Sequence, residues 1–324
     1  MADSIIISDT DDGQRLDRWL KKHYPETGFV GIQKILRTGQ LRVDGKRVKG
    51  DVRLQKGQVV RIPPQMASPL PKSERGLSPK DVNFIRSLVI YEDAHLIALN
   101  KPSGIATQGG TKINRHIDGL LDGLAQDGVR PHLVHRLDKE TSGVLLLARN
   151  PKVARAMGEV FQERDIRKYY WAITVPAPQD EMGEIRSRLE KGGGPGQERM
   201  RNAGDGEGKF ALTYYQVMET AHNKLAFVAF WPKTGRMHQI RAHAAEMGCP
   251  LLGDYKYGYN PELLEELPNL PDMLHLHARR VILPHPMTGK LLDITALLDP
   301  DMSKTWKFFH FNANDKSDPF EGVE

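Results

Sequence analysis

Cysteine is nearly missing: Cys249 is the one thiol in 324 residues. That excludes an internal disulfide framework and any zinc site built on several cysteines, and it fits a reducing compartment. Long apolar runs are missing as well, and none approaches the ~18 residues that a membrane-spanning helix requires. The opening residues Met1-Ala2-Asp3-Ser4-Ile5-Ile6-Ile7 lack a basic stretch and an extended apolar region, so they do not read as a secretory signal. There is no phosphate-cradling glycine loop either. Gly192-Gly193-Gly194-Pro195-Gly196 has no following Lys-Ser/Thr and no strand-to-helix setting. His238 and His243 fall outside the register of a helical zinc pair, and His275 and His277 have no acidic partners nearby in sequence. The expectation is a cytoplasmic protein without membrane contact, catalytic metal or nucleotide cofactor.

What is present is charge, unevenly spread. The net charge is +5, yet residues 11–62 hold 13 Lys and Arg against 6 Asp and Glu, which leaves −2 for the rest. A small basic module on a nearly neutral body suggests a polyanion-binding arm. Within the arm, Arg15–Leu20 opens an amphipathic helix, and Gly31–Thr38 forms a second with Ile32, Ile35 and Leu36 on one face. Leu41–Val48 reads as a hairpin turning at Asp44-Gly45, and Gln58–Ile62 as a further strand. The domain boundaries follow: an arm over residues 1–62, a Pro/Ser-rich linker over 63–87, a body over 88–311 and a disordered tail over 312–324. In the body, strand character falls at Leu88–Tyr91, Leu96–Leu99, Gly143–Ala148, Tyr170–Thr174, Ala211–Val217, Ala226–Phe230 and Leu291–Ile294. Helices are expected at Lys152–Arg164 and Arg236–Met247, and an exposed loop at 190–208. The predicted class is α+β with a mostly antiparallel mixed sheet.

The most informative stretch is His135-Arg136-Leu137-Asp138-Lys139-Glu140-Thr141-Ser142-Gly143-Val144-Leu145-Leu146-Leu147. A carboxylate beside a guanidinium in a polar turn runs directly into a strand, and strand ends are where rigid scaffolds present chemistry. Nearby positive charge favours the ionised carboxylate, which then serves as a nucleophile or ion-pair partner and not as a proton donor. Taken alone, such a turn reads more naturally as a surface ion pair. It is accompanied by Lys101-Pro102-Ser103-Gly104, by Lys168-Tyr169-Tyr170-Trp171-Ala172, and by Gly235-Arg236-Met237-His238-Gln239-Ile240-Arg241 followed by Pro250-Leu251-Leu252-Gly253-Asp254.

These four ordered segments resemble the signature of the pseudouridine synthases that modify large-subunit ribosomal RNA. Within that family the chain is most like the synthase C branch. The helix–helix–hairpin arm resembles the S4 RNA-binding domain. The resemblance implies a catalytic domain whose central sheet is split by an active-site cleft. It also implies isomerisation of uridine to pseudouridine in 23S ribosomal RNA without a cofactor; no protein partner is implied. Asp138 matches the catalytic carboxylate, Tyr170 the tyrosine that stacks on the base, and Arg241 the arginine that pairs with the aspartate. Arg136 matches the arginine inserted where the flipped base had been. Lys168 and Arg236 are expected to contact phosphate or to support the site from behind, and Leu252 either to form an apolar wall opposite Tyr170 or to pack in the core. Lys34, Arg37, Arg42, Lys46, Arg47 and Lys49 would line the phosphate-binding face of the arm.

Two other readings share these residues. A non-catalytic RNA-binding factor would need the cations but not a carboxylate facing the RNA. A carboxylate-dependent hydrolase of glycosidic bonds would usually need a second positioned carboxylate, and none is evident beside Asp138.

Overall fold

The computed structural model describes residues 3–24, 27–64, 66, 77–110, 113, 115–162, 166–194, 199–204, 206–221, 224–265 and 270–323. The chain divides into two compact units, residues 1–76 and 77–324. Among the described residues no helix is long and apolar enough to cross a membrane.

The first unit runs β1 (Asp3–Ile6), α1 (Leu16–His23), α2 (Gly28–Thr38), β2 (Arg42–Val43) and β3 (Val59–Ile62). Its antiparallel sheet has the order β1-β3-β2. Leu16, Trp19 and Leu20 of α1 and Ile32, Ile35 and Leu36 of α2 pack with Leu41, Val43, Leu54 and Val60 into one core. The spacing read from the sequence is the spacing buried here. The Asp44-Gly45 turn forms, with φ of 48° and 75°. The hairpin it closes is a single bridge from Val43 to Lys46, and β2 instead pairs with β3. Lys46 and Arg47 are exposed and bring no apolar side chain to a second strand.

The second unit opens with α3 (Pro79–Ser87), β4 (Val89–Glu92), β5 (Leu96–Lys101), α4 (Ile117–Leu120), β6 (His132–Leu133) and β7 (Ser142–Ala148). It continues through α5 (Pro151–Gln162), β8 (Arg167–Thr174), β9 (Met182–Gly192), β10 (Arg199–Asn202), β11 (Lys209–Ala221) and β12 (Leu225–Pro232). It closes with α6 (Gln239–Glu246), β13 (Leu276–Pro284), β14 (Leu291–Thr295) and α7 (Pro300–Phe308). Eleven strands form one sheet in the order β10-β9-β11-β12-β8-β13-β7-β5-β4, with β14 on β13 and β6 on β7.

Among the described residues the strand pairings of this sheet are antiparallel except β13 with β7, where His277 faces Ser142 and Ala278 faces Gly143. At this joint Gly143 has a φ of 106°, and a Cβ there would run into the Ala278 carbonyl. Only glycine lets the two strands approach so closely. Along β8 the side chains alternate. Tyr169, Trp171 and Ile173 face a core with Phe227, Trp231, Met302 and Trp306, while Ala172, with Tyr170 packed alongside, faces Val228, Phe230 and Ile240.

Three expectations are corrected. Much of the proposed linker, Gln65 and residues 67–76, lies outside the described residues, but its end does not behave as a linker. Ser78 caps α3 by accepting from Asp81 N–H, Pro79 begins the helix, and Ile85 is buried among Ile97, Leu121 and Leu145. The expected loop at 190–208 is partly sheet: β9 reaches Gly192, and β10 pairs back on it from Arg199 to Asn202. Ile185, Ser187 and Leu189 alternate inward among charges, a weak apolar signal that still encodes a strand.

The tail is ordered through Val323. Phe320 is 2% exposed and packs on Tyr169 and Trp231, with ring centroids 5.3 and 5.7 Å away. Asp318 accepts from the Tyr169 hydroxyl at 3.1 Å and pairs with Arg167 at 3.4 Å. One aromatic anchor and one carboxylate hold a segment whose composition is otherwise polar. Phe320→Ala is therefore expected to lower the unfolding free energy by about 3 kcal/mol in a urea titration, whereas a disordered tail would leave it unchanged.

Candidate active site

Asp138 lies in the turn leading into β7, and the peptide groups around it are held from one neighbouring segment. The Thr107 hydroxyl donates to the Leu137 carbonyl at 2.7 Å and accepts the Leu137 N–H at 3.1 Å. The Ser103 hydroxyl donates to the Glu140 carbonyl at 2.9 Å. The Lys101 ammonium donates to the carbonyls of Pro102, Ile105 and Lys139 at 2.9, 2.9 and 3.1 Å. Lys101 is fully buried, and burial pushes its pKa down to about 8 against the opposing pull of Glu140, Asp138 and Asp299. The Lys101–Gly104 motif thus acts through backbone groups as a clamp on the Asp138 turn.

A cleft of about 800 Å³ opens over this turn. Its lining includes Asp138, Tyr170 and Arg241 together with Arg136, Lys168 and Arg236. Six of the seven residues singled out in the body therefore share one hollow. Phe161, Ile166, Ile240 and Leu276 supply apolar wall. Tyr170 reaches the cleft because β8 turns its neighbours Tyr169 and Trp171 to the other face. Burial, reinforced by the Asp138 charge, raises the Tyr170 phenol, which stays protonated at neutral pH. Lys168 is pushed down by burial, and it holds the neighbouring His135 imidazole neutral together with burial there. His135 Nε2 accepts the Leu146 N–H at 2.9 Å. Arg136 is exposed at the rim, and Arg236 donates to the Phe210 carbonyl at 3.0 Å.

Leu252 is the exception. It is 3% exposed in the core with Trp171, Ile173 and Trp306, on the opposite side of the sheet from Tyr170. Its N–H bonds the Ile173 carbonyl, and that pairing fixes it among the residues of β8 that point away from the cleft. The wall opposite Tyr170 is not built by Leu252.

The partner of Arg241 also differs from expectation. Its guanidinium forms a two-pronged bond with Asp254, Nε to Oδ2 at 2.7 Å and Nη2 to Oδ1 at 2.6 Å, and stacks over Tyr257 at 4.9 Å. The Asp254 side chain is fully buried. Arg241 remains close enough for Asp138 and Asp254 together to raise its pKa, but it spends its planar fork on Asp254. Gly253 sets up this pairing: at φ 77° it abuts the Met273 carbonyl, where a Cβ would not fit, and turns Asp254 inward. Among the described residues the basic side chain within ion-pair distance of Asp138 is His238, at 3.6 Å from Nε2 to Oδ2. Lys139 pairs with Glu140 instead.

His238 immediately precedes α6, and Gln239, the first residue of that helix, braces the turn before it. The Gln239 amide accepts from Arg236 N–H and the Thr234 hydroxyl, and donates to the Leu212 carbonyl and Thr213 hydroxyl. Sequence reading quoted His238, Gln239 and Asp254 within motifs but gave them no such roles, and it passed over Thr107 and Tyr257. The available signal was their place inside or beside the matched segments.

In the first unit, Lys34, Arg37, Arg47 and Lys49 surround a groove of about 910 Å³ floored by Leu36 and Val48. Arg42 and Lys46 are not part of its lining.

A clamped carboxylate, a phenol and several cations thus share one cleft on a mixed sheet. Residues 95–246 match the RNA pseudouridylate synthase family. The chain is 37% identical over 299 residues to the ribosomal large subunit pseudouridine synthase C of Rickettsia felis, covering 91% of this chain and 96% of that protein. It is 34% identical over 310 residues to the protein of the same name in Escherichia coli K12, covering 93% and 94%. Among solved structures, human RNA pseudouridylate synthase domain containing 4 aligns with a TM-score of 0.59 and 29% identity, over 71% of this chain and 97% of that one. The chain belongs to the RNA pseudouridylate synthase family and is an RNA pseudouridine synthase.

The buried fork gives a direct test of Arg241. Asp254→Asn removes the charge with little change of shape and leaves the guanidinium without its counter-ion. A loss of about 3 kcal/mol in denaturant unfolding is expected, with turnover reduced roughly 10- to 100-fold as Arg241 shifts. Wild-type values for both would remove the pair from the site.

Proposed function

We propose that the enzyme isomerises uridines of the large-subunit ribosomal RNA, 23S in bacteria, with Asp138 as the catalytic carboxylate. The observation that carries this reading is the convergence of Asp138, Tyr170, Arg241, Arg136, Lys168 and Arg236 on one cleft, in a chain whose relatives carry that name. The reaction cuts the bond between N1 and C1′, turns the uracil within the site and joins C5 to C1′, with the C5 proton lost and a proton taken up at the freed N1, so that the product is an isomer. Asp138 acts at the sugar or at the base, Tyr170 stacks on the uracil, and Arg241 keeps positive charge beside the carboxylate. Arg136, exposed at the rim, fills the stack vacated by the flipped base, and its planar cation offsets part of an unstacking cost of a few kcal/mol. Lys168 and Arg236 meet phosphate. The first unit is read as an S4-like RNA-binding arm whose basic groove supplies affinity without sequence readout. An enzyme of ribosomal RNA works in the cytoplasm.

Asp138→Asn keeps the turn and removes the charge. It is expected to abolish pseudouridine formation on large-subunit transcripts while RNA affinity changes by less than about twofold. Free uracil or cleaved RNA from the unaltered enzyme would favour a hydrolase; binding without any product would favour a non-catalytic factor. The arm has its own test. Replacing Lys34, Arg37 and Lys49 together by Glu should weaken RNA binding and reduce the slope of log affinity against log salt by roughly 2. An unchanged slope would remove the groove from the RNA interface.

A further inference from the structure

We propose that His238 is a positioning residue for Asp138, donating through Nε2 to the carboxylate in a tautomer set by the Tyr257 hydroxyl. The inference rests on the reading of Asp138 as the catalytic group.

The backbone gives the first observation. His238 sits at φ 48° and ψ 25°, a left-handed conformation that costs a non-glycine residue about 1–3 kcal/mol. A residue held there by its surroundings is a candidate for function. The strained turn aims the imidazole at Asp138, with Nε2 3.6 Å from Oδ2. That is longer than a formed hydrogen bond, and catalytic contacts of this kind tighten as substrate enters.

Hydrogen-bond accounting gives the second. The Tyr257 oxygen accepts the Met200 N–H at 2.7 Å, and His238 Nδ1 lies 3.0 Å from the same oxygen. A phenol has one proton to give, and among the described residues Nδ1 is the acceptor it meets. Nδ1 therefore carries no proton, and the ring's N–H is on Nε2, facing the carboxylate. Met200 belongs to β10, so the hairpin of β9 and β10 supplies the bond that orients the phenol.

Burial favours the neutral ring. Burial lowers the His238 pKa below the ordinary histidine value; Arg241 and Lys256 add to this, while Asp138 and Asp254 oppose it. A neutral donor fixes the rotation of the Asp138 carboxylate by holding one oxygen and leaves the negative charge in place for the substrate. A protonated imidazole would neutralise part of that charge and turn a second N–H against Tyr257.

The experiment compares His238→Ala, His238→Gln and Tyr257→Phe with the unaltered enzyme, measuring single-turnover pseudouridine formation at saturating ribosomal RNA and RNA affinity separately. Glutamine retains an amide N–H near the position of Nε2, while Tyr257→Phe keeps the ring beneath Arg241 and deletes the hydroxyl. The expected result is a rate loss of about 10- to 100-fold for His238→Ala, a smaller loss of about 3- to 10-fold for Tyr257→Phe, and affinities within about twofold of wild type. His238→Gln should recover about fivefold or more of the rate lost in the alanine variant. Glutamine no better than alanine, a loss confined to affinity, or a wild-type rate in Tyr257→Phe each overturns the proposal. Should His238→Ala fail to fold, Tyr257→Phe decides alone. Absence of pseudouridine with the unaltered enzyme overturns the underlying reading instead, so the two failures are distinguishable.

Discussion

The site depends on peptide groups more than on side-chain charge. Asp138 occupies a turn between Leu137 and Thr141, and a turn is by nature a place where backbone polar groups lack a ladder to bond. Here the Lys101–Thr107 segment supplies the bonds. Thr107 uses its hydroxyl as donor and acceptor on Leu137, Ser103 holds the Glu140 carbonyl, and the Lys101 ammonium gathers three carbonyls, one of them that of Lys139. An ammonium has three N–H groups and a neutral amine two, so burying the cation is what allows all three acceptors to be met. The desolvation of that charge is offset locally by carbonyl oxygens and at longer range by Glu140, Asp138 and Asp299. Asp138 is thus one of the counter-charges of the group that clamps its own loop.

The clamp would be useless if the turn were not delivered to the right place. β7 leaves the turn and runs parallel to β13 over His277 and Ala278, and β13 in turn lies beside β8, which carries Tyr170. Because Gly143 removes the side chain at the point of contact, the parallel pair closes tightly, and the start of β7 sits one strand away from the phenol. A strand presents alternate residues to one face, so a single-residue slip of β8 would put Trp171 into the cleft and Tyr170 into the core. The large aromatic cluster of Tyr169, Trp171, Phe227, Trp231 and Trp306 makes that slip costly. Packing on the far side of the sheet therefore sets which aromatic ring lines the cleft.

Much of this was legible in the sequence, and the exceptions share a cause. The amphipathic helices of the first unit and most body strands follow from local patterns of period and turn residues, while the convergence of the four motif segments was implied by the family resemblance. Leu252 shows the limit. Its place in a matched segment says that the segment is near the site, but the face it points to is fixed by the bond of its N–H to Ile173, a partner 79 positions away. Arg241 shows the same limit in electrostatic form, because Asp254 competes with Asp138 for one planar fork and only three-dimensional distance decides between them. Phe320 was hidden by composition, since one anchoring ring among polar residues does not alter an average. Partners distant in sequence are what pattern reading does not encode.

The division of labour among the cations follows from what a reacting carboxylate requires. A bidentate guanidinium on Asp138 would occupy both of its oxygens, whereas the imidazole contact at 3.6 Å engages one. With Arg241 forked onto Asp254, the net charge of that pair is close to zero, yet the guanidinium remains near enough to Asp138 for that carboxylate to help hold it charged. Direct contact to Asp138 is left to the imidazole of His238, a donor whose charge is suppressed by burial. The carboxylate is therefore steadied by geometry, supplied by the clamped turn and the imidazole, while its charge is balanced from a distance and stays available to the substrate.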